Sequence, residues 1–198
     1  MAKLYFHYAT MNAGKSAVLL QANHNYTSQS MRTLLISSSV DTRSGVGTIS
    51  SRIGLSAACK AASQETCLFE LVQADIRDAE TDGNPLRCVF VDEAQFLTEE
   101  QIIQLARVVD ELGVPVMAYG LRTDFMGKLF PGSEALMRFA DEIREARSVC
   151  WCGKRATMIL RTDAEGRVLR EGASILVGGN DMYTSVCRAH WFEGRTCP

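Results

Sequence analysis

Apolar and amphipathic segments alternate along the N-terminal part of the chain. Short runs of aliphatic and aromatic side chains predict β-strands at residues 3–8, 32–38, 87–91 and 114–119. Helix-forming residues and one-sided apolar spacing predict intervening helices at residues 15–23, 68–79 and 98–112. Strands that alternate with helices are typical of a parallel sheet with right-handed crossover connections. The pattern therefore predicts an α/β fold.

The helix after the third strand carries both a start signal and a stop signal. Thr98 can cap its first turn, and Gln101, three residues later, can reach back to complete a capping box. Gly113 favours the left-handed conformation that ends a helix, and Pro115 prevents continuation. In contrast, residues 39–63 are dense in Ser, Thr, Gly and Ala, and this composition predicts a loop.

Composition narrows the class of protein. The 198 residues are 46% hydrophobic and 22% charged, which is typical of one globular domain with a small appendage. The net charge of −2 and the lack of a basic stripe argue against nucleic acid as a partner. No apolar run is long enough to span a bilayer, and the start does not resemble a signal peptide. We therefore expect a cytoplasmic protein without membrane contact, its seven cysteines reduced.

The character of the sequence changes near Cys150. Beyond it lie short strand-like runs, glycine turns and two pairs of metal-binding residues, Cys150 with Cys152 and Cys187 with His190. Four soft Cys and His ligands suit a tetrahedral structural zinc ion. The alternative is a set of unpaired thiols and a surface imidazole. We predict an α/β domain at residues 1–148 and a zinc-binding domain at residues 149–198.

A phosphate-binding loop is predicted between the first strand and the first helix. It comprises Ala9, Thr10, Met11, Asn12, Ala13, Gly14, Lys15 and Ser16. This is the P-loop pattern with Ala9 in place of its first glycine. Backbone N–H groups at the helix start would face the phosphates, Lys15 would add a charge, and Ser16 would join a Mg²⁺ shell. The alternative is an ordinary turn that caps the helix.

Two carboxylates follow the apolar strand at residues 87–91. Asp92 would hold Mg²⁺, and Glu93 could accept a proton from a nucleophile. The alternative is a pair of solvated acids at a strand end. With the phosphate loop earlier in the chain, the pair predicts an enzyme that transfers or hydrolyses a phosphoryl group.

Five segments in order resemble the type II thymidine kinases, specifically their bacterial branch. They are Met-Asn-Ala-Gly-Lys-Ser at 11–16, Asp-Thr-Arg at 41–43, Asp-Glu-Ala-Gln-Phe at 92–96, Gly-Leu-Arg-Thr-Asp-Phe at 120–125, and Gly-Gly-Asn-Asp at 178–181 running into Tyr183 and Cys187. The resemblance covers nearly the whole chain. It implies a P-loop NTPase-like parallel sheet flanked by helices, with a small C-terminal zinc-ribbon-like domain that carries a lasso loop.

The resemblance also implies a role for individual residues. Glu93 would be the general base on the 5′-hydroxyl of thymidine, Gln95 and Arg43 would lie at the ATP phosphates, and Asp41 would approach Mg²⁺ with Ser16 and Asp92. The lasso would read the thymine through its backbone and contact the nucleoside through a tyrosine. The residues concerned are Leu176, Val177, Gly178, Gly179 and Tyr183.

Apolar side chains in these segments could form walls around a methylated pyrimidine. The candidates are Met11, Phe96, Leu121 and Phe125, for each of which core packing is the alternative. Residues 127–132, rich in glycine and aromatic neighbours, could form a lid that excludes water.

Thymidine and ATP are thus the expected substrates, with deoxyuridine as a further acceptor and dTMP as the product. The resemblance implies Mg²⁺, a structural Zn²⁺, a homotetramer and feedback inhibition by dTTP. Two readings of another class stay open: a P-loop ATPase whose zinc ribbon binds nucleic acid, and a zinc-ribbon binding module with a degenerate P-loop.

Overall fold

The computed structural model describes residues 1–40, 45–174 and 182–198. The N-terminal strands are β1 (Leu4–Ala9), β2 (Arg32–Ser38), β3 (Thr48–Ser50), β4 (Ser56–Ala58), β5 (Lys60–Ala62), β6 (Leu86–Asp92), β7 (Val116–Leu121) and β8 (Glu142–Glu145). The helices between them are α1 (Lys15–Thr27), α2 (Leu68–Thr81), α3 (Glu99–Leu112) and α4 (Pro131–Phe139). Within the described ranges, six strands form one parallel sheet in the order β5-β2-β6-β7-β1-β8. The predicted α/β fold class is confirmed.

Helices cover both faces of this sheet. Alternate side chains of β6 point to opposite faces, so Val89 and Val91 pack with residues of α2, α3 and α4, whereas Cys88 and Phe90 pack against α1. Burial on both faces explains why β6 is a continuous apolar run. All parallel strands end at one edge, where β1, β6 and β7 place the residues that follow them side by side.

Most predicted elements occur close to their expected bounds. The capping box of α3 is present: the Thr98 side chain accepts from the Gln101 N–H, and the Gln101 side chain accepts from the Thr98 N–H. Gly113 ends the helix with φ of 68°. Helix α1 continues to Thr27 instead of ending at residue 23, because Tyr26 packs edge-on against Phe90 and so adds a tertiary contact.

The predicted loop at residues 39–63 is wrong in part. Strands β3 and β4 form an antiparallel hairpin, and β5 adds an edge strand beside β2. These strands are three residues long and carry mainly small side chains, so they lack the apolar alternation by which a strand is predicted.

The C-terminal part consists of short strands and one helix. They are β9 (Ser148–Val149), β10 (Arg155–Ala156), β11 (Met158–Thr162), β12 (Val168–Leu169), β13 (Tyr183–Val186) and α5 (Arg188–Glu193). A separate apolar cluster forms here from Cys150, Ala156, Leu160, Val186 and Cys187. The domain boundary at 148/149 stays a prediction. Among the described helices, none is long and apolar enough to cross a membrane.

Helix α4 packs directly on the turn that follows β6, which is a short 3-10 helix at Ala94–Phe96. A Cβ atom added to Gly132 would lie 2.3 Å from the Ala94 carbonyl oxygen and 2.8 Å from that of Leu97. The buried Ser133 hydroxyl donates to the Leu121 carbonyl oxygen at 2.5 Å. The end of the predicted lid at residues 127–132 is therefore wrong, because Gly132 is a packed helical residue that supports the turn.

We expect Gly132→Ala to lower the free energy of unfolding by about 1–3 kcal/mol, since the added methyl group has no space against two backbone carbonyls. Urea denaturation measures the change. Gly83→Ala is a reference variant, because Gly83 has open space and a left-handed φ of 68°, so its cost of about 1–2 kcal/mol comes from backbone strain alone. A Gly132 variant as stable as wild type would contradict the packing role.

Candidate active site and metal centre

The loop between β1 and α1 has the backbone shape of an anion site. Asn12 and Gly14 adopt positive φ, 63° and 79°, and Gly14 precedes the first residue of α1. Left-handed residues in such a turn direct successive N–H groups toward one point at the helix N-terminus. Lys15 is buried there, and its Nζ donates to the Thr10 carbonyl oxygen at 3.1 Å. The loop can therefore hold a phosphate chain against both the helix and the lysine.

Asp92 lies next to this loop at the end of β6. The Ser16 hydroxyl donates to Asp92 Oδ2 at 2.8 Å, and the Glu93 N–H donates to Asp92 Oδ1 at 3.0 Å. Burial raises the pKa of Asp92 to about 6, and the charge of Glu93 acts in the same direction. A serine hydroxyl beside a carboxylate is the oxygen donor pair that fits Mg²⁺ in a P-loop site.

Glu93 follows Asp92 in an unusual backbone conformation. Its φ of 51° and ψ of 38° lie in the left-handed region, which is uncommon for a residue with a side chain. Such strained residues persist where the surroundings hold them, and they cluster in functional sites. The Glu93 carboxylate is buried and accepts a hydrogen bond from Gln95 Nε2. The backbone therefore turns at Glu93, directly after the end of β6, and Gln95 contacts the carboxylate there.

The phosphate loop and the carboxylates share one cavity of about 440 Å³. Of the residues predicted from the sequence, the cavity is lined by Met11, Asn12, Gly14, Lys15, Ser16, Asp92, Glu93, Gln95, Phe96, Leu121, Phe125 and Tyr183. Ala9, Thr10 and Ala13 belong to the loop but do not line it. Six predicted site residues lie outside the described ranges: Asp41, Arg43, Leu176, Val177, Gly178 and Gly179.

One end of the cavity is apolar. Phe96 and Phe130 meet edge to face with ring centroids 5.8 Å apart, next to Leu121. Tyr183 of β13 packs against the same cluster. The Ser185 hydroxyl donates to the Met11 carbonyl oxygen at 2.7 Å, which ties β13 to the phosphate loop. A flat ring bound at this end would therefore have aromatic walls from both parts of the chain.

Sequence reasoning missed the β3–β4 hairpin as a wall of the cavity. Its lining residues are Thr48, Ile49, Ser50, Ser51, Arg52 and Ile53. The available signal was Arg52, the one cation among residues 48–58, which are otherwise mainly Ser, Ala and Ile with a glycine turn. Ile49 is buried against α1 residues, which fixes the hairpin over the start of that helix.

The four predicted metal ligands come together in the C-terminal part. The donor atoms of Cys150, Cys152, Cys187 and His190 all lie within 4.8 Å of one another. Cys152 Sγ and Cys187 Sγ are 4.0 Å apart, and Cys150 Sγ is 3.4 Å from His190 Nδ1. Tetrahedral zinc with Zn–S bonds of ~2.3 Å requires sulfur atoms roughly 3.8 Å apart. The donor set therefore fits zinc in both chemistry and spacing.

Hydrogen bonds in this cluster favour the thiolate form of one cysteine. Burial raises the pKa of Cys150, but donors at Cys152, His190 and Cys187 outweigh it and lower the pKa to about 6. A thiolate is the form of cysteine that binds metal. His190 is held by stacking on Trp151, with ring centroids 4.0 Å apart and nearly parallel planes.

We expect Asp92→Asn to stabilise the metal-free protein more at pH 8 than at pH 5. A carboxyl group whose pKa is raised by folding favours the folded state fully at a pH below its unfolded pKa near 4. This contribution to stability is lost as the pH rises through the folded pKa of about 6. Asparagine does not ionise. The free energy of unfolding of the variant relative to wild type should therefore be higher at pH 8 than at pH 5 by on the order of 1–2 kcal/mol. Urea denaturation in a chelating buffer at both pH values measures it.

Asp110→Asn, at an exposed carboxylate of α3, is the matched control for loss of one negative charge. An Asp92 variant whose stability relative to wild type is the same at both pH values would contradict the effect of burial on Asp92.

Known proteins match this chain over its whole length. The family model described as thymidine kinase matches residues 2–191. The thymidine kinase of Ruegeria pomeroyi is 56% identical over 198 residues, covering 100% of this chain and 98% of that protein. The thymidine kinase of Agrobacterium fabrum is 54% identical over 197 residues, covering 100% of both chains. That of Yersinia pseudotuberculosis is 49% identical over 193 residues, covering 98% and 96%. The chain belongs to the thymidine kinase family.

Proposed function

We propose that this protein transfers the γ-phosphoryl group of ATP to the 5′-hydroxyl of thymidine, giving dTMP in nucleotide salvage, and that it also accepts deoxyuridine. The observation that carries the proposal is the shared cavity. Its lining combines a phosphate loop that carries a buried lysine, an aromatic cluster and the Glu93 carboxylate. Membership of the thymidine kinase family supports the same reaction.

The residues of the phosphate end would hold the donor. The N–H groups before α1 bind the β- and γ-phosphates, and Lys15 neutralises charge that develops on the transferred group. Ser16 and Asp92 are the residues that would hold Mg²⁺, which supplies further charge neutralisation when bound. Asp41 and Arg43 are proposed at the same phosphates on the resemblance alone.

Glu93 would act at the acceptor. Its carboxylate takes the proton of the 5′-hydroxyl as the oxygen attacks the γ-phosphorus in line, and ADP leaves. Phe96, Leu121 and Phe125 would bind the thymine at the apolar end, and Tyr183 would contact the nucleoside. We propose backbone readout of the base by Leu176, Val177, Gly178 and Gly179, as the family resemblance implies.

The proposal extends to a metal ion, the assembly and regulation. The Cys150, Cys152, Cys187 and His190 cluster would bind a structural zinc ion, because all four positions of a tetrahedral site are filled by protein atoms. We also propose a cytoplasmic homotetramer inhibited by dTTP, without membrane or nucleic-acid partners, on the family resemblance and the slightly acidic composition.

Thymidine dependence of ATP consumption tests the function. The transferase should release ADP at a rate that rises with thymidine and should form dTMP in equal amount, because a shielded site limits hydrolysis. A P-loop ATPase would consume ATP at the same rate without thymidine. ADP release indifferent to thymidine would therefore reject the kinase.

We expect Glu93→Gln to lower kcat by at least ~100-fold, the usual effect of removing a general base. The dissociation constant of ATP should change by less than about 3-fold, because the amide has the same size and leaves the phosphate loop intact. Steady-state kinetics and calorimetric ATP titration measure the two quantities. Glu100→Gln, an exposed acid of α3, is the control; loss of ATP binding with Glu93→Gln would contradict the assigned role.

We expect purified protein to contain about one zinc ion per chain, as the four-ligand site requires. Cys152→Ser should lower both the zinc content and the melting temperature, because three ligands hold the ion less tightly. Elemental analysis and thermal unfolding provide the readouts. Cys197→Ser is the matched control, since that cysteine is also exposed but lies outside the cluster. Equal zinc content in the two variants would reject the site.

A further inference from the structure

Gln95 has a fully buried side chain whose two polar atoms both have partners. Its Oε1 accepts from the Leu121 N–H at 3.0 Å, and its Nε2 donates to Glu93 Oε2. The amide therefore bridges the last residue of β7 and the proposed general base. Both partners line the cavity, as does Gln95 itself, and Leu121 belongs to its apolar cluster.

Two glycines, Gly120 and Gly132, pack closely against Gln95. A Cβ atom on Gly120 would lie 2.8 Å from Gln95 Oε1 and 3.1 Å from its backbone nitrogen, so only glycine leaves room for the bridge. On the other side, Gly132 of α4 lies so close that an added Cβ would be 3.1 Å from the Gln95 carbonyl oxygen. The glutamine is thus enclosed between a strand and a helix, with little freedom to reach elsewhere.

Glu93 needs such support for its chemistry. Its backbone is in the left-handed region, and the carboxylate lies at the end of a side chain with several rotatable bonds. A general base must lie within hydrogen-bond reach of the proton it removes, and small errors in its placement reduce the rate strongly. A rigid neighbour that donates to one carboxylate oxygen restricts the direction in which the carboxylate lies.

We infer that Gln95 is a positioning residue that holds the Glu93 carboxylate against the end of β7, instead of a residue that contacts the nucleotide. This inference rests on the proposed function, because it gives Glu93 the role of general base. Since the same amide bonds Leu121, it also couples the direction of the base to a wall of the acceptor end of the cavity. Any effect of Gln95 on ATP is then indirect.

The test uses Gln95→Met, which keeps the length of the side chain and removes both hydrogen bonds, and Gln95→Glu, which keeps an acceptor for the Leu121 N–H but replaces the donor. Both should lower kcat about 10- to 100-fold with the KM for ATP within about 3-fold, because positioning acts on the chemical step.

Gln104→Met is the matched control. Gln104 also accepts a backbone hydrogen bond, from the Leu68 N–H at 2.7 Å, but lies on α3 away from the cavity. Its kcat and its KM for ATP should equal those of wild type. The melting temperature of each variant is measured alongside.

Each remaining outcome overturns the inference. Unchanged kcat in both Gln95 variants would show that Glu93 needs no such support. A raised KM for ATP at unchanged kcat would make Gln95 a nucleotide contact. Loss of folding in both Gln95 variants while Gln104→Met stays folded would make it a residue of the fold. If wild type itself shows no thymidine-dependent turnover, the proposed function fails instead, and the two failures are distinguishable.

Discussion

Burial of two adjacent carboxylates at the end of β6 is the constraint on which the rest of the site depends. Asp92 and Glu93 are neighbours in sequence and both are largely buried. Two negative charges in a site of low polarity are unfavourable unless each finds donors or cations. Ser16 and a backbone N–H serve Asp92, and Gln95 serves Glu93. The chain turns in the left-handed conformation at Glu93, and the two carboxylates have different hydrogen-bond donors.

This constraint explains why several distant elements meet at one sheet edge. The phosphate loop follows β1, the acids follow β6, and the Leu121 N–H that holds Gln95 belongs to the end of β7. Because β6, β7 and β1 are neighbours in a parallel sheet, their carboxyl ends lie side by side. Ligand sites in open parallel sheets occur at this edge for the same reason. Helix α4 then packs against the turn after β6 and limits its movement.

The sequence predicted those parts of the fold that depend on local rules. A strand buried on both faces shows as an apolar run, as in β6, and a capping box needs only residues Thr98 and Gln101. The hairpin at β3 and β4 has no such signal, since its short strands are stabilised by pairing with each other and by Ile49 packing on α1. The bridge made by Gln95 was also hidden, because a hydrogen bond to Leu121, 26 residues away, depends on how the strands are arranged.

Side-chain hydrogen bonds join the C-terminal part to the N-terminal part near the cavity. Ser185 donates to the Met11 carbonyl oxygen, Trp191 Nε1 donates to the Phe125 carbonyl oxygen at 3.1 Å, and Arg122 donates to the Thr157 carbonyl oxygen at 3.1 Å. Ser185 and Trp191 lie close in sequence to two of the candidate metal ligands. Ser185 shortly precedes Cys187, and Trp191 directly follows His190.

A metal ion held by those ligands would therefore do more than stabilise a small domain. Fixing Cys187 and His190 fixes the end of β13 and the start of α5, and with them the donors to Met11 and Phe125. Met11 and Phe125 both line the cavity, so its shape depends on where the C-terminal part docks. A segment with so small an apolar core has few other means of holding its position, and a metal ion bound here would take the place of a larger core.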